Sequence, residues 1–270
     1  MAFAYSGAIA LLMIFEDRIV FPRGGFYMDV AEIAYEETWI KTSDGEKLNA
    51  WICPNPDLNQ AMPASERWAV IFFHGNGGDL CHRYVNALNW QKVIQGDVLL
   101  VDYRGFGKST GSPSEAGLYI DARSTWQWMV EERGYSPSKL ILVGQSLGGA
   151  VAVQLATEKH PAALVLESTF TRLTDAASEK FPWLPVRWMM RNRFDSIDKI
   201  ARYKGPVFIL HGDKDELVPF DHSTKMLAAI VGPKDRWIQP DSTHNAVLGS
   251  QYYRKVKEFL TRHALNHKNG

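Results

Sequence analysis

The sequence predicts an α/β protein in which a mostly parallel β-sheet carries helices on both faces. Short, nearly continuous apolar runs recur between residues 69 and 210, and such runs are typical of strands that are covered on both sides. Longer helix-like segments lie between most of these runs. This alternation is the pattern that parallel strands need, because each crossover connection has to return along a face of the sheet.

The elements follow in chain order. Two strands, residues 33–40 and 48–52, are joined across residues 43–45 (Ser-Asp-Gly), a turn signal typical of a hairpin. The later predicted strands are Ala69–Phe73, Val98–Val101, Leu140–Val143, Ala163–Leu166, Val207–Leu210 and Arg236–Ile238. The predicted helices are Leu80–Ile94, Ser114–Arg133, Leu147–His160 and Ser250–His263.

Residues 168–205 interrupt the alternation. They contain no clear strand and are rich in large side chains: Phe170, Phe181, Trp183, Trp188, Met189, Met190 and Phe194. A structureless loop of this length is uncommon in a compact domain. We therefore predict a small helical lid insertion over one edge of the sheet, within a single domain that spans residues 31–270.

Residues 1–30 form an apolar lead-in to that domain. The run from Ala2 to Phe15 is mostly apolar, and it ends at residues 16–18 (Glu-Asp-Arg). A membrane-spanning helix needs about 20 residues. No Lys or Arg precedes the run and no clear cleavage site follows it, which disfavours a signal peptide. Two alternatives stay open: a docked or interfacial helix, and the remnant of a membrane anchor.

Composition excludes several classes of protein. Apolar residues make up 46% and charged residues 22% of the 270 positions, which excludes intrinsic disorder. Thirty Lys and Arg balance thirty Asp and Glu, so composition does not support nucleic-acid binding. Cys53 and Cys81 are too few for a disulfide framework and lack metal-site spacing.

Residues 105–109 resemble a phosphate-binding loop, but Asp102 stands where that pattern needs Gly, so we interpret residues 102–105 as a tight turn.

Residues 144–148 (Gly-Gln-Ser-Leu-Gly) give the strongest chemical signal. The pattern Gly-x-Ser-x-Gly follows a predicted strand and opens a predicted helix, which is the context of a nucleophile elbow. The flanking glycines let the strand and the helix approach closely, while the serine takes a strained conformation that exposes its hydroxyl. The sequence therefore predicts Ser146 as a nucleophile.

A serine hydroxyl needs a base, and in this architecture an acid and then a base follow it along the chain. The histidines far enough beyond the elbow to be candidates are His211, His222, His244 and His263, with His267 in the tail. His244 lies in a short loop after the last predicted strand and is the predicted general base. Asp215, which follows strand 207–210, is the predicted acid that orients the imidazole. Asp213 is the alternative acid, and it also fits a role in closing the turn.

Acyl transfer also needs N–H donors aimed at the developing oxyanion. Residues 73–78 (Phe-His-Gly-Asn-Gly-Gly) follow the first central strand, where such a donor is expected. The backbone N–H groups of Asn76 and Leu147 form the predicted oxyanion hole. A flexible glycine-rich loop without a chemical role is the alternative for residues 74–78.

These segments together resemble the α/β-hydrolase superfamily, and more narrowly its branch of bud-emergence-type and α/β-hydrolase-domain serine hydrolases. The matching segments occur in the family's order at residues 74–78, 102–109, 144–149, 211–219 and 243–245. The resemblance implies the α/β-hydrolase fold, with Ser146 as nucleophile, Asp215 as acid, His244 as base and Asn76 in the oxyanion loop. It implies carboxylester, lipid or thioester hydrolysis without choosing among them. It also implies an N-terminal hydrophobic tether followed by a motif similar to residues 20–22 (Val-Phe-Pro).

The predicted function is a serine esterase that cleaves small-molecule esters of short-to-medium acyl chains through an acyl-enzyme, with no metal or cofactor. Trp183, Trp188 and Met189 are the predicted acyl-binding residues, and the alternative for the two tryptophans is to anchor the lid to the core. A thioesterase, a lipid hydrolase, an acyltransferase and a binding scaffold without activity are the alternative functions. Nucleic acid is not an expected partner. Membrane association through residues 2–15, and a cytoplasmic or membrane-associated location, stay open.

Overall fold

The computed structural model describes residues 2–22, 30, 33–58, 61–246 and 248–265. Its strands are β1 (Glu36–Lys41), β2 (Lys47–Cys53), β3 (Ala69–Phe73), β4 (Asp97–Val101), β5 (Leu140–Gln145), β6 (Ala163–Glu167), β7 (Val207–Gly212) and β8 (Lys234–Gln239). Its helices are α1 (Ala2–Ile14), α2 (Glu16–Val20), α3 (Tyr84–Ile94), α4 (Glu115–Gln127), α5 (Leu147–Lys159), α6 (Leu173–Lys180), α7 (Val186–Met189), α8 (Ile197–Ile200), α9 (Asp221–Ala229) and α10 (Ser250–Leu260).

The eight strands form one sheet in the order β1-β2-β4-β3-β5-β6-β7-β8. β2 pairs antiparallel with β1 and with β4, and every pairing from β4 to β8 is parallel. The chain forms β4 on one side of β3 and then crosses to form β5 on the other. A crevice opens at the carboxyl ends of strands where the winding reverses in this way. The loops after β3 and β5 therefore meet at the same edge of the sheet.

Both faces of the sheet are buried under helices. Apolar side chains of α4, α5, α8 and α9 pack with one face, as Leu118, Val151, Ile200 and Met226 show. Side chains of α3 and α10 cover the other face. The near-continuous apolar runs of the central strands follow from this arrangement, because alternate residues of each strand enter different cores. The predicted mostly parallel sheet with helices on both faces is confirmed.

The structure can be compared with the prediction at three places. The first strand begins at Glu36 rather than at residue 33, and the ring of Tyr35 stacks on Trp51 with centroids 3.8 Å apart. The predicted helix 80–94 opens with a 3₁₀ turn, Leu80–Arg83, which Asp79 caps by accepting the N–H of Cys81. Residues 102–105 form the expected turn, with Gly105 at φ 76°.

The lid insertion contains the three short helices α6, α7 and α8. Helices α1 and α2 precede the sheet, and Tyr5 of α1 donates its hydroxyl to the carbonyl oxygen of Trp183 in the lid insertion (2.9 Å). Among the helices of the described residues, none has both the length and the apolar character needed to cross a bilayer.

Candidate active site

Ser146 lies in the sharp turn between β5 and α5, at φ 51° and ψ −114°. A residue other than glycine pays a conformational cost at positive φ, so neighbouring contacts have to hold it there. The N–H of Ser146 donates to the carbonyl of Glu167 (2.8 Å), and the hydroxyl of Thr169 donates to the carbonyl of Ser146 (2.8 Å). A Cβ on Gly148 would collide with the backbone of Phe73, so only glycine fits there.

The imidazole of His244 lies between Ser146 and Asp215. Its Nε2 is 3.0 Å from the Oγ of Ser146, and its Nδ1 is 2.7 Å from Oδ2 of Asp215. An ionised carboxylate only accepts hydrogen bonds, so Nδ1 carries the proton and Nε2 is free to accept the serine proton. The loops that carry Asp215 and His244 follow the adjacent strands β7 and β8. The structure thus brings together the three side chains predicted as nucleophile, base and acid.

Asp215 is buried yet fully hydrogen-bonded. Its Oδ1 accepts the N–H groups of Leu217 (3.0 Å) and Val218 (2.8 Å), and Nε2 of His211 lies 3.3 Å from Oδ2. Burial by itself would raise the pKa of Asp215, but the hydrogen bonds from His211, His244 and Val218 outweigh it and lower that pKa well below its usual range. The carboxylate is therefore ionised at neutral pH and stabilises a positive charge on His244.

The other candidates from the sequence lie elsewhere. His211 is buried, and its Nε2 lies 2.7 Å from the carbonyl oxygen of Val218 and 3.3 Å from Oδ2 of Asp215, so it supports Asp215 rather than Ser146. His222 is buried against Thr171 and Glu179, and the ring of His263 packs on Phe259. Asp213 is exposed and accepts the N–H of Ser242 (3.3 Å). His267 lies outside the described residues.

The two predicted oxyanion donors flank Ser146. Phe73 pairs with Gly144 across β3 and β5, which sets the loop after β3 beside the elbow. A Cβ on Gly75 would lie 3.5 Å from the Cβ of Ser146, so this loop passes within van der Waals distance of the nucleophile. The N–H of Leu147 is the first of α5, and such N–H groups have no acceptor within their own helix. Asn76, Ser146 and Leu147 all line one cavity.

That cavity has a volume of about 480 Å³, within the range of small-molecule sites. Its walls are mainly apolar, and they include Phe170, Leu173, Phe181, Trp183, Leu184, Val186, Met189, Met190, Leu217 and Val218 beside Ser146 and His244. The lid insertion contributes most of these residues. The cavity therefore places an apolar surface next to the hydroxyl of Ser146.

The predicted acyl-binding residues divide between the inside and the outside of the cavity. Met189 and Trp183 line it, whereas Trp188 lies outside its wall with 91% of its surface exposed. Val186 and Met189 are three residues apart and share one face of the single-turn helix α7, so Trp188 projects from another face. Trp183 is 65% exposed, so neither tryptophan anchors the lid to the core.

Comparisons with known proteins agree with this architecture. A family model described as serine aminopeptidase, S33, matches residues 64–197. Protein bem46 of Schizosaccharomyces pombe is 32% identical to this chain over 86% of the chain and 78% of its own length. The protein belongs to the α/β-hydrolase superfamily, in its bem46-type branch. The hydrolase is also 33% identical to the uncharacterized protein Rv2307c of Mycobacterium tuberculosis, over 98% of this chain and 94% of that protein.

Solved structures share the fold of the hydrolase. The esterase Pf2001 of Pyrococcus furiosus superposes with a TM-score of 0.70 at 21% sequence identity, over 90% of this chain and 97% of its own. At this level of identity the likeness concerns the fold. The α/β-hydrolase fold implied by the sequence resemblance is therefore confirmed.

One group of side chains in the described part of the hydrolase has the donor atoms of a metal site. Asp79, Cys81 and His82 bring one donor atom each within 4.8 Å of the others. Oδ1 of Asp79 already accepts the Cys81 thiol (2.7 Å) and lies 2.8 Å from Nδ1 of His82. The three side chains satisfy one another as a hydrogen-bonded cap on the 3₁₀ turn at Leu80–Arg83.

Sequence reasoning missed the N-terminal contribution to the site. Leu12, Met13, Ile19 and Val20 line the same cavity as Ser146. Their run ends with the Val-Phe-Pro motif, and Phe21 of that motif is fully buried. This motif was the only local signal, because the partners of α1 and α2 in the lid insertion, Trp183 and Arg191, lie more than 150 residues away along the chain.

The carboxyl group of Glu167 lies buried directly behind the elbow. Tyr252 donates its hydroxyl to Oε1 (2.6 Å), and Oε2 has no partner among the described residues. Burial raises the pKa of Glu167 from 4.5 to about 7. Between pH 4.5 and about 7 the folded chain therefore holds the proton of the Glu167 carboxyl group more tightly than the unfolded chain does. The stability that the protonated Glu167 contributes is lost as the pH rises through this range.

The variant Glu167→Gln is uncharged at every pH and keeps the acceptor for Tyr252. We expect its free energy of unfolding to match that of the wild type near pH 4 and to exceed it at pH 8 by up to about 3 kcal/mol. Urea unfolding at the two pH values measures this difference, with the exposed Glu66→Gln as control. A difference between Glu167→Gln and the wild type that is the same at both pH values would contradict the assignment.

Proposed function

We propose that the hydrolase is a serine carboxylesterase that cleaves esters of short-to-medium acyl chains. The observation that carries this proposal is the continuous hydrogen-bonded series from Ser146 through His244 to Asp215, with distances of 3.0 and 2.7 Å. Asp215 and His244 supply what a serine hydroxyl lacks at neutral pH, which is a positioned base with a fixed tautomer. The apolar cavity beside Ser146 supplies the place for an acyl chain.

The reaction proceeds in two steps. The Oγ of Ser146 attacks the ester carbonyl carbon as Nε2 of His244 takes the hydroxyl proton, and the carbonyl oxygen becomes an oxyanion that the N–H groups of Asn76 and Leu147 stabilise. His244 then gives its proton to the leaving alkoxide, and the acyl-enzyme remains. A water molecule, deprotonated by His244, attacks the acyl carbon, and the proton returns to Ser146 as the carboxylic acid leaves.

Chain length is the first test of the substrate class. In a cavity of about 480 Å³ with an apolar wall, each methylene of a short acyl chain that becomes buried strengthens binding. A chain longer than the cavity leaves its end in water. We expect kcat/KM to rise from the acetate to the hexanoate ester of p-nitrophenol. We expect kcat/KM for the palmitate ester to be at least about tenfold lower than for the hexanoate ester.

A series of p-nitrophenyl esters with matched thioesters measures both preferences at once. The carboxylesterase proposal expects the hexanoyl ester to be turned over with a higher kcat/KM than its thioester. A palmitate optimum would replace the proposal with a lipid hydrolase, and a thioester preference would replace it with a thioesterase.

A further inference from the structure

We propose that residues 12–20 are a fixed wall of the acyl-binding cavity, and that Leu12 helps to determine the acyl chain length that the enzyme accepts. The inference rests on the proposed esterase function and adds a specificity-determining element to it. Four apolar residues of this segment face the cavity that contains Ser146: Leu12, Met13, Ile19 and Val20. The segment lies more than 120 residues before the nucleophile, and it lines the same cavity as the lid insertion.

Glu16 holds residues 12–20 against the lid insertion through hydrogen bonds. Its carboxylate is 5% exposed, and it accepts the backbone N–H groups of Arg191 (2.9 Å) and Asn192 (2.8 Å) together with the Nδ2 of Asn192 (3.0 Å). Hydrogen bonds to an ionised acceptor are about twice as strong as neutral ones. A buried carboxylate with this many donors fixes α2 against the loop between α7 and α8.

A second carboxylate continues the same pattern from the body of the protein. Glu115, at the start of α4, accepts the backbone N–H groups of Arg193 (2.7 Å) and Phe194 (3.0 Å). Four consecutive N–H groups of the lid insertion, those of residues 191–194, are thus divided between Glu16 and Glu115. Residues 191–194 are thus hydrogen-bonded to α2 on one side and to α4 on the other. These bonds fix residues 12–20 relative to α4 and the sheet.

The far end of the wall reaches the oxyanion loop. The Nδ2 of Asn76 donates to the carbonyl of Val20 (3.2 Å). The ring of Phe21 is buried, and it packs edge-to-face against Phe194 with centroids 6.3 Å apart. The segment is therefore held at the lid loop, at the core and beside the catalytic serine, and its side chains present a surface of defined shape to the acyl chain.

Leu12 and its neighbour Leu11 offer a matched test. Leu12 is half-buried and lines the cavity, whereas Leu11 is 56% exposed and lies outside the cavity wall. We expect Leu12→Trp to narrow the cavity, so that the ratio of kcat/KM for the hexanoate ester to that for the acetate ester falls roughly tenfold. We expect Leu12→Ala to widen it and to move the optimum to a longer ester. Leu11→Trp and Leu11→Ala are expected to keep the wild-type profile.

The variant Glu16→Gln tests the hydrogen bonds between Glu16 and the lid insertion. A Gln oxygen at the place of Oε1 leaves an NH₂ group at the place of Oε2, where it faces the backbone N–H and the Nε–H of Arg191. Loosening the wall should raise KM for the hexanoate ester several-fold more than KM for the acetate ester and flatten the chain-length profile. Thermal unfolding of each variant verifies that the domain stays folded.

The outcomes separate this inference from the function on which it rests. Labelling of wild-type Ser146 by a fluorophosphonate probe, together with opposite shifts of the optimum in the two Leu12 variants, supports both. Labelled Ser146 with an unchanged optimum in both Leu12 variants, or with equal effects of the Leu11 and Leu12 substitutions, overturns the wall and leaves the esterase intact. Absence of labelling and of ester hydrolysis in the wild type overturns the esterase itself.

Discussion

Replacing Ser146 by Ala should abolish ester hydrolysis while leaving the hydrolase folded. The variant removes the atom that attacks the carbonyl, and the loss of such a nucleophile lowers kcat by about a millionfold in a comparable serine hydrolase. The backbone contacts that hold position 146, from Glu167 and Thr169, do not involve the lost hydroxyl. The side chain gives up only its hydrogen bond to His244, so we expect the melting temperature to stay within about 4 °C of the wild type.

The measurement combines initial rates on the preferred ester with labelling by a fluorophosphonate, which bonds its phosphorus to an activated serine oxygen and releases fluoride. Ser138→Ala is the matched control, because Ser138 is exposed and lies at the opposite end of β5. We expect the control to hydrolyse and to be labelled like the wild type. Full activity in Ser146→Ala would discard the acyl-enzyme scheme, and an unlabelled, inactive wild type would favour the binding scaffold.

The central sheet and the site at its edge were predictable from sequence because their signals are local. A strand buried on both faces has to be a short apolar run, and the sequences of β3, β5 and β7 are mostly apolar. The elbow at Ser146 needs glycine on both sides of the serine for steric reasons that the sequence displays directly. Because parallel strands end at one edge, the loops that carry Asp215 and His244 were expected there as well.

The cavity beside Ser146 was less predictable, because it is built from contacts between distant segments. Composition identified the lid insertion as apolar, but it did not reveal which face of α7 meets the cavity. A helix of one turn offers no periodicity from which to tell Met189, inside, from Trp188, outside. In the sequence Glu16 is the polar end of an apolar run, and its partners Arg191 and Asn192 lie 175 and 176 residues further along the chain.

Asp215→Asn should cost far more activity than Asp213→Asn, although the two residues lie two positions apart in the same loop. Oδ1 of Asp215 accepts two backbone N–H groups, so an Asn side chain has to place its oxygen there and turn its NH₂ group toward His244. That NH₂ donates to Nδ1, which moves the imidazole proton to Nε2. A protonated Nε2 does not accept the hydroxyl proton of Ser146, and a change of this kind lowers kcat about 10⁴-fold.

Asp213 faces solvent and accepts one backbone N–H, that of Ser242, at 3.3 Å. Its substitution by Asn preserves an acceptor at that place, so we expect kcat/KM to stay within about twofold of the wild type, as for other surface changes. Rates of the two variants on the same ester, with titration of active serines to correct for misfolded protein, give the comparison. The ionised carboxylate of Asp215, whose pKa is held low despite its burial, is what fixes the tautomer of His244. Equal losses in the two variants would mean that His244 takes its orientation from another group, and the acid assignment would then be wrong.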